Sequence, residues 1–299
     1  VSLALHALST GPLFLVLSLG AVLLLTGLDR DVLWADEGDT AVLAKSILKF
    51  GVPTAWDGVS FIDSDAGARL NDNLVMVSHP WVQYYVVAAS FAIFGKTAWA
   101  ARLPFAVLGL LTIVLVYLIV LRVTRNRWTA TTAAVLLILS VQFLIYARQS
   151  RHYTLNAALT CLLVLQFTRL KSWGGNVLFA GIGIVLFHSH PIALAPMLAL
   201  GLLTLIYPPF YPQRRWFWRA APIWAVLTLP WIALARAGYA ENTGLIQDAG
   251  TFLPRLGQFA IECGSVTSVL GVAALFVIAR YRRGKPIRVD RNKRAPAGP

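Results

Sequence analysis

The sequence predicts an all-α polytopic membrane protein of about eight transmembrane helices, with interfacial helices gathered in a large first external loop. Three observations carry this reading. Of the 299 residues, 58% are hydrophobic and 13% charged, against about 45–50% and about 25% in soluble domains, and the mean hydropathy is +0.68. Uncharged apolar runs of bilayer-spanning length recur along the chain. The 26 Lys and Arg residues and the 13 Asp and Glu residues are segregated between alternate loops, as an excess of cytoplasmic Lys and Arg demands. A soluble enzyme is thereby excluded, and the net charge of +13 reads as basic cytoplasmic loops rather than a nucleic-acid surface. Cys161 and Cys263 lie far apart in apolar surroundings, which supports neither a disulfide framework nor a zinc site.

Taken in order, Val1 to Leu28 holds no Lys, Arg, Asp or Glu. It exceeds the roughly 7–15-residue core of a cleavable signal peptide and reads as a retained first span. Further uncharged runs are Leu103–Leu121, Trp128–Ala147, His152–Thr168, Ser172–Gln213, Ala220–Ala235 and Cys263–Ala279. The run from Ser172 is long enough to cross twice, and Ser189-His190-Pro191 supplies the break where a hairpin turns. Asn73–Gly95 is apolar enough to cross as well, but charge decides against it. With that run outside, sixteen of the 26 basic residues face the cytoplasm beside a single acid, Asp290, and ten basic and twelve acidic residues lie opposite. Letting the run cross would carry every later basic cluster outward, against the positive-inside rule. The run is therefore placed along the outer interface, where Trp81 and Trp99 fit the outer aromatic belt and Trp128, Trp173, Trp216 and Trp218 the inner one.

Residues 1–279 thus form a transmembrane domain with an external loop at 29–101, and 280–299 form a basic cytoplasmic tail whose composition argues for disorder. The loop holds nine of the thirteen acidic residues, so chemistry is sought there. Within it, Thr40–Phe50 sets Val42, Leu43, Ile47 and Leu48 against Lys45 and Lys49, an amphipathic helix suited to a membrane surface. Gly51-Val52-Pro53 ends that helix, and Asp57–Asn73 reads as turns.

Trp34-Ala35-Asp36-Glu37 follows the first span directly. A carboxylate kept ionised there can take a proton from an incoming hydroxyl; equally, Asp and Glu favour a helix N-terminus for its dipole. Arg102, Arg148 and Arg151 are placed on the same side. Several arginines at that boundary can bind a phosphate bidentately, or else snorkel and pair with the acids of the loop. His79, His152 beside Tyr153, and His188 and His190 also fall at the outer face. Imidazoles there can donate to phosphate or shuttle a proton, or simply satisfy a turn backbone. Neither an HExxH motif nor a cysteine cluster is present, so no metal site is assigned. Asp29-Arg30-Asp31 and Asp63-Ser64-Asp65 match the common Asp-x-Asp pattern and are discounted, and the lack of a GxxxxGK[ST] loop leaves an ATP-driven transporter without support.

The order of these features resembles the membrane glycosyltransferases of the C superfamily: Asp36-Glu37 after the first span, a helix ending in Gly51-Val52-Pro53, His79-Pro80-Trp81, Phe94-Gly95, Ala101-Arg102-Leu103-Pro104 and Ala147 to Tyr153. Protein O-mannosyltransferases and bacterial lipid A aminoarabinose transferases are the nearest in pattern. The resemblance covers about Leu13 to Phe167. It implies transfer of a sugar from a polyprenyl-phosphate carrier to a glycan, lipid or protein acceptor, on the external face of the cell inner membrane. By position, Asp36 resembles the catalytic carboxylate with Glu37 beside it, and Arg102, Arg148, Arg151 and His79 resemble donor-phosphate or site-organising residues. His152, Tyr153, His188 and His190 are candidates for the substrate side. No cofactor is required if arginines neutralise the phosphate, although the acidic loop could recruit a divalent metal. Members often carry an acidic residue after the third span, which Arg151–Ala158 lacks. Two other readings stand beside this one. A transporter or flippase of an amphiphilic substrate expects ionisable residues deep in the spans, where only Glu262 comes close to one. A non-catalytic lipid-binding relative differs from the enzyme only by assay.

Overall fold

The computed structural model describes residues 11–63, 67, 69–170, 172–190 and 194–243. The first ten residues, Ser64-Asp65, Lys171, Pro191, Glu262, the expected span Cys263–Ala279 and the basic tail lie outside the described residues. The described part is almost wholly helical: α1 (Gly11–Leu25), α2 (Ala35–Phe50), α3 (Val82–Phe94), α4 (Ala98–Thr124), α5 (Arg127–Ile138), α6 (Val141–Ala147), α7 (His152–Phe167), α8 (Trp173–Ser189), α9 (Leu194–Ile206) and α10 (Tyr211–Thr243). Between α2 and α3 the loop is tied by single antiparallel bridges, such as Thr54 to Val75.

Helix α2 begins five residues before the amphipathic segment expected from Thr40. The acids Asp36 and Glu37 occupy its first turn and Lys49 its last, each the favourable sign for its end of the helix dipole. It ends at Gly51, whose φ of +81° suits glycine and whose N–H donates to the Ile47 carbonyl at 2.8 Å. The expected surface position is corrected by packing. Thr40, Ala41, Val42, Leu43, Ala44, Ser46 and Ile47 are all buried, because α3 and the loop cover the side that would otherwise face lipid. Helix α3 is apolar but shorter than the run Asn73–Gly95 that contains it: its 13 residues span about 20 Å, against a hydrocarbon core of about 30 Å.

Helix α4, 27 residues long, satisfies the length and composition of a membrane span by itself. Thr97 caps its N-terminus by accepting the Ala100 N–H at 3.1 Å. Pro104 has no N–H to give the Ala100 carbonyl four residues back, and Ser90 of α3 fills the gap by donating its hydroxyl to that carbonyl at 2.5 Å. The expected single span Trp128–Ala147 is instead two helices, α5 and α6, bent by 68°. The cause lies in Ser140, whose Oγ accepts the Phe143 N–H at 3.3 Å and so starts a new helix inside the apolar run.

The run from Ser172 breaks as expected, α8 ending at Ser189. The next turn does not fall at Arg214–Arg219. It falls at Tyr207–Phe210, where Pro208 and Pro209 stop α9, and the arginines belong to α10. The axes of α9 and α10 bend by 106° there. By length and composition, one described helix crosses a bilayer, or three if each bent pair is one span. Among the described residues, α7 and α8 are apolar but only 16 and 17 residues long, and the expected span Cys263–Ala279 lies outside them.

Candidate active site

Asp36 and Glu37 are neighbours in the first turn of α2, so their side chains leave the helix about 100° apart. That angle gives them different surroundings. Glu37 is fully buried. Arg102 of α4 grips it bidentately, Nε donating to Oε1 at 3.0 Å and one terminal nitrogen to Oε2 at 2.6 Å. The Ser150 backbone N–H donates to Oε1 at 2.8 Å. The remaining guanidinium protons of Arg102 go to the carbonyls of Leu28 (2.8 Å), Asp31 (2.9 Å) and Val32 (3.0 Å). A guanidinium has five N–H groups, and here all five meet protein acceptors. Such saturation makes a buried pair tolerable, since both ions recover in hydrogen bonds what they lose in hydration. It also corrects two expectations. Arg102 has no proton left to offer a donor phosphate, and Glu37 has no accessible oxygen. The pair instead fastens the α1–α2 linker, α2, α4 and the α6–α7 turn at one point.

Arg148, at the C-terminus of α6, donates to the carbonyls of Leu23 (2.5 Å), Thr26 (2.8 Å) and Gly27 (3.0 Å) at the end of α1. A cation there satisfies carbonyls that a helix terminus leaves open. Three of its five N–H groups are thereby used. Beside it lies a cavity of about 510 Å³, lined by Arg148, Arg102, Glu37 and an apolar wall that includes Leu23, Val32, Trp34, Leu144 and Ile145.

Asp36 does not line this cavity. Its carboxylate, on a side chain that stays 41% exposed, pairs with Arg151 at 3.3 Å. The other terminal nitrogen of Arg151 donates to the Asp36 carbonyl at 3.3 Å, while its Nε is buried without a hydrogen-bond partner. Next along the chain, His152 is buried with Nδ1 equally unmatched. Its ring stacks on His190, centroids 3.9 Å apart and planes 18° off parallel, and His190 in turn meets His79 at 5.6 Å. Burial, and then the charge of Arg151, push the His190 imidazole down to about 4. Tyr153 closes the far side, 4.5 Å from His152 and 4.6 Å from Tyr146 between ring centroids. His188 is not part of this group: its Nε2 lies 3.0 Å from the Leu227 carbonyl of α10. Among the described residues, no three His, Cys, Asp or Glu side chains are grouped as a metal ion requires.

Sequence reasoning missed Ser150 and Tyr84. Ser150 acts through its backbone N–H, which side-chain identity does not reveal. Tyr84 is buried in α3, and burial pushes its phenol up to about 12, with Arg151 working against that shift and Asp39 adding to it. A tyrosine buried within range of these charges was discoverable only by knowing that α3 docks against α2.

With this arrangement in hand, comparison with known proteins is informative. A family model described as dolichyl-phosphate-mannose-protein mannosyltransferase matches residues 78–234. No curated protein matches the chain. Among solved structures, ArnT from Cupriavidus metallidurans in the apo state is 19% identical with a TM-score of 0.52, covering 79% of this chain and 44% of that one. The same protein bound to undecaprenyl phosphate is 20% identical with a TM-score of 0.50, covering 80% of this chain and 44% of that one. The chain therefore spans less than half the length of ArnT, and at this identity the likeness concerns the fold. Both findings fall within the C-superfamily membrane glycosyltransferases that the sequence resembles. Since the matched segment covers just over half of the 299 residues, the chain belongs to the dolichyl-phosphate-mannose-protein mannosyltransferase family.

Proposed function

We propose that the protein transfers a sugar from a polyprenyl-phosphate donor to an acceptor on the external face of the inner membrane, with Asp36 as general base. The observation that carries this reading is the division of labour between neighbours. Glu37 is sealed by Arg102, whereas Asp36 is half exposed and held by a single arginine. An acceptor hydroxyl approaching Asp36 gives up its proton as its oxygen bonds the anomeric carbon. The bond from that carbon to the phosphate oxygen breaks, the polyprenyl phosphate leaves, and attack from the opposite side inverts the anomeric configuration.

A departing phosphate needs cations already in place. Arg148 suits this role, because two of its N–H groups have no partner among the described residues. The apolar wall beside it suits the first isoprene units of a carrier. Arg151 orients Asp36, while Arg102 and Glu37 act as positioning residues. His79, His152, Tyr153 and His190, which form one chain of ring contacts next to Arg151 in sequence, are assigned to the acceptor or sugar. The bound lipid named for ArnT and the family description are what support a polyprenyl-linked donor.

The test is release of sugar from synthetic polyprenyl-phosphate hexose and pentose donors by the purified chain in vesicles. Asp36→Asn is expected to lower turnover by about 10²–10⁴-fold, the usual worth of a positioned base. Undiminished turnover in that variant would remove Asp36 from the mechanism.

A further inference from the structure

A second arrangement lies far from Asp36, at the elbow between α9 and α10. Helix α7 runs from His152 beside the proposed active site to Phe167, a length of about 24 Å. Phe167 packs edge-on against Phe210 of the elbow, ring centroids 5.2 Å apart. The elbow therefore belongs to the end of the helix bundle opposite Asp36. There the chain forms a hollow of about 810 Å³ lined by Leu205, Tyr211, Pro212, Arg214, Arg215 and Trp218.

Among the described residues, the charge in this hollow is uncompensated. No Asp or Glu occurs from Ser172 to Ala240, and among the described residues neither Arg214 nor Arg215 makes an ion pair. Arg215 lies over the Trp216 ring at 5.1 Å, and Arg219 bridges Trp216 and Trp173 at 5.2 and 5.3 Å. Stacking of this kind fixes guanidinium planes while leaving their edges open to an anion. A second space lies next to the hollow. Leu205 and Trp218 line both it and a slot of about 330 Å³ between α9 and α10, whose other walls include Leu198, Leu202, Ala225 and Trp224. A basic, aromatic-rimmed hollow sharing two wall residues with an apolar slot has the profile of a lipid, with a phosphate at one end and hydrocarbon at the other.

We infer that this elbow binds an anionic phospholipid, its phosphate held by Arg214 and Arg215 and one acyl chain lying in the slot. The site is distinct from the one proposed for the sugar donor, and the distance along α7 separates the two.

The experiment is a titration of the purified, delipidated chain in neutral detergent with phosphatidylglycerol, phosphatidylcholine, undecaprenyl phosphate or inorganic phosphate, read by native mass spectrometry. One phosphatidylglycerol is expected to bind in clear preference to phosphatidylcholine. Replacing Arg214→Gln and Arg215→Gln together is expected to weaken it about 25-fold, at about five-fold for each charge. The Arg214→Lys, Arg215→Lys pair keeps the charge and retains most of the affinity. Leu202→Trp, at an exposed position on the slot, keeps every charge and is expected to expel the acyl chain, so the test survives a misfolded glutamine variant. Equal binding of both phospholipids, unchanged affinity in the glutamine pair, or displacement by millimolar inorganic phosphate overturns the inference. So does a stronger hold on undecaprenyl phosphate, which would make the elbow a donor site.

Discussion

Replacing Glu37 with Gln separates anchoring from chemistry. The substitution keeps the shape of the side chain and one acceptor oxygen, so the Ser150 N–H can stay bonded. It turns the other oxygen into an NH₂ group facing the Arg102 nitrogen that now sits 2.6 Å away. Two donors then oppose each other, and a guanidinium inside the protein loses its counter-ion. Breaking one side of a buried pair costs about 3–5 kcal/mol. Arg102 keeps its three carbonyl bonds to the α1–α2 linker, which places the expectation near the lower end, about 3 kcal/mol. By contrast Asp36→Asn breaks a partly exposed pair and is expected to change stability by less than about 1 kcal/mol. Both variants can be followed through reversible unfolding in mixed micelles of increasing SDS fraction, with tryptophan fluorescence as the probe. Glu37→Gln is refuted as an anchoring change if its loss of unfolding free energy is no larger than that of Asp36→Asn. A Glu37→Gln variant that folds as well as the parent yet has no transferase activity would likewise place Glu37 in the chemistry rather than the scaffold.

Two further outcomes are expected. A Cβ on Gly183 of α8 would sit 2.6 Å from Trp224 Nε1 of α10, a rigid indole that donates to the Ala180 carbonyl at 3.0 Å. Gly183→Ala therefore loses that bond and forces α8 from α10, at about 1–3 kcal/mol of overpacking, partly offset by about 1 kcal/mol of helix propensity; an unfolding midpoint equal to or above the parent's would contradict this contact. His190 is held neutral, its folded value about 4 lying below the ordinary 6.5. Between those two values the unfolded chain binds more protons than the folded one, so stability falls as pH drops from about 6.5 toward 4. His190→Gln should lessen the slope of that part of the stability profile, and an unchanged slope would show that the imidazole titrates normally.

Much of the helical plan was legible because apolar runs, prolines and isolated capping residues act locally. The break after Ser189 follows from a run too long for one crossing and from the Ser189-His190-Pro191 turn signal within it. The kink at Ser140 was missed because a serine in an apolar run is tolerated in many spans and becomes a cap only when the backbone bends. The turn at Tyr207 was misplaced for a related reason: charge suggested a loop at Arg214–Arg219, whereas two prolines ended the helix first. At the site, chemical type pointed to Asp36 and to several arginines, but not to Arg151 as the one that pairs with Asp36, nor to how the other guanidinium groups are used. Arg102 and Arg148 look equivalent in sequence. Only geometry separates a saturated arginine from one with protons to spare, because all the acceptors of Arg148 and three of the five of Arg102 are backbone carbonyls, which any residue supplies.

The bond from Ser90 to the Ala100 carbonyl bears on how the chain enters the membrane. A carbonyl orphaned by proline is expensive in hydrocarbon, and its rescuer stands ten residues upstream, already synthesised when Pro104 appears. The partner of this carbonyl is thus at hand as the start of α4 leaves the ribosome, without waiting for any later helix.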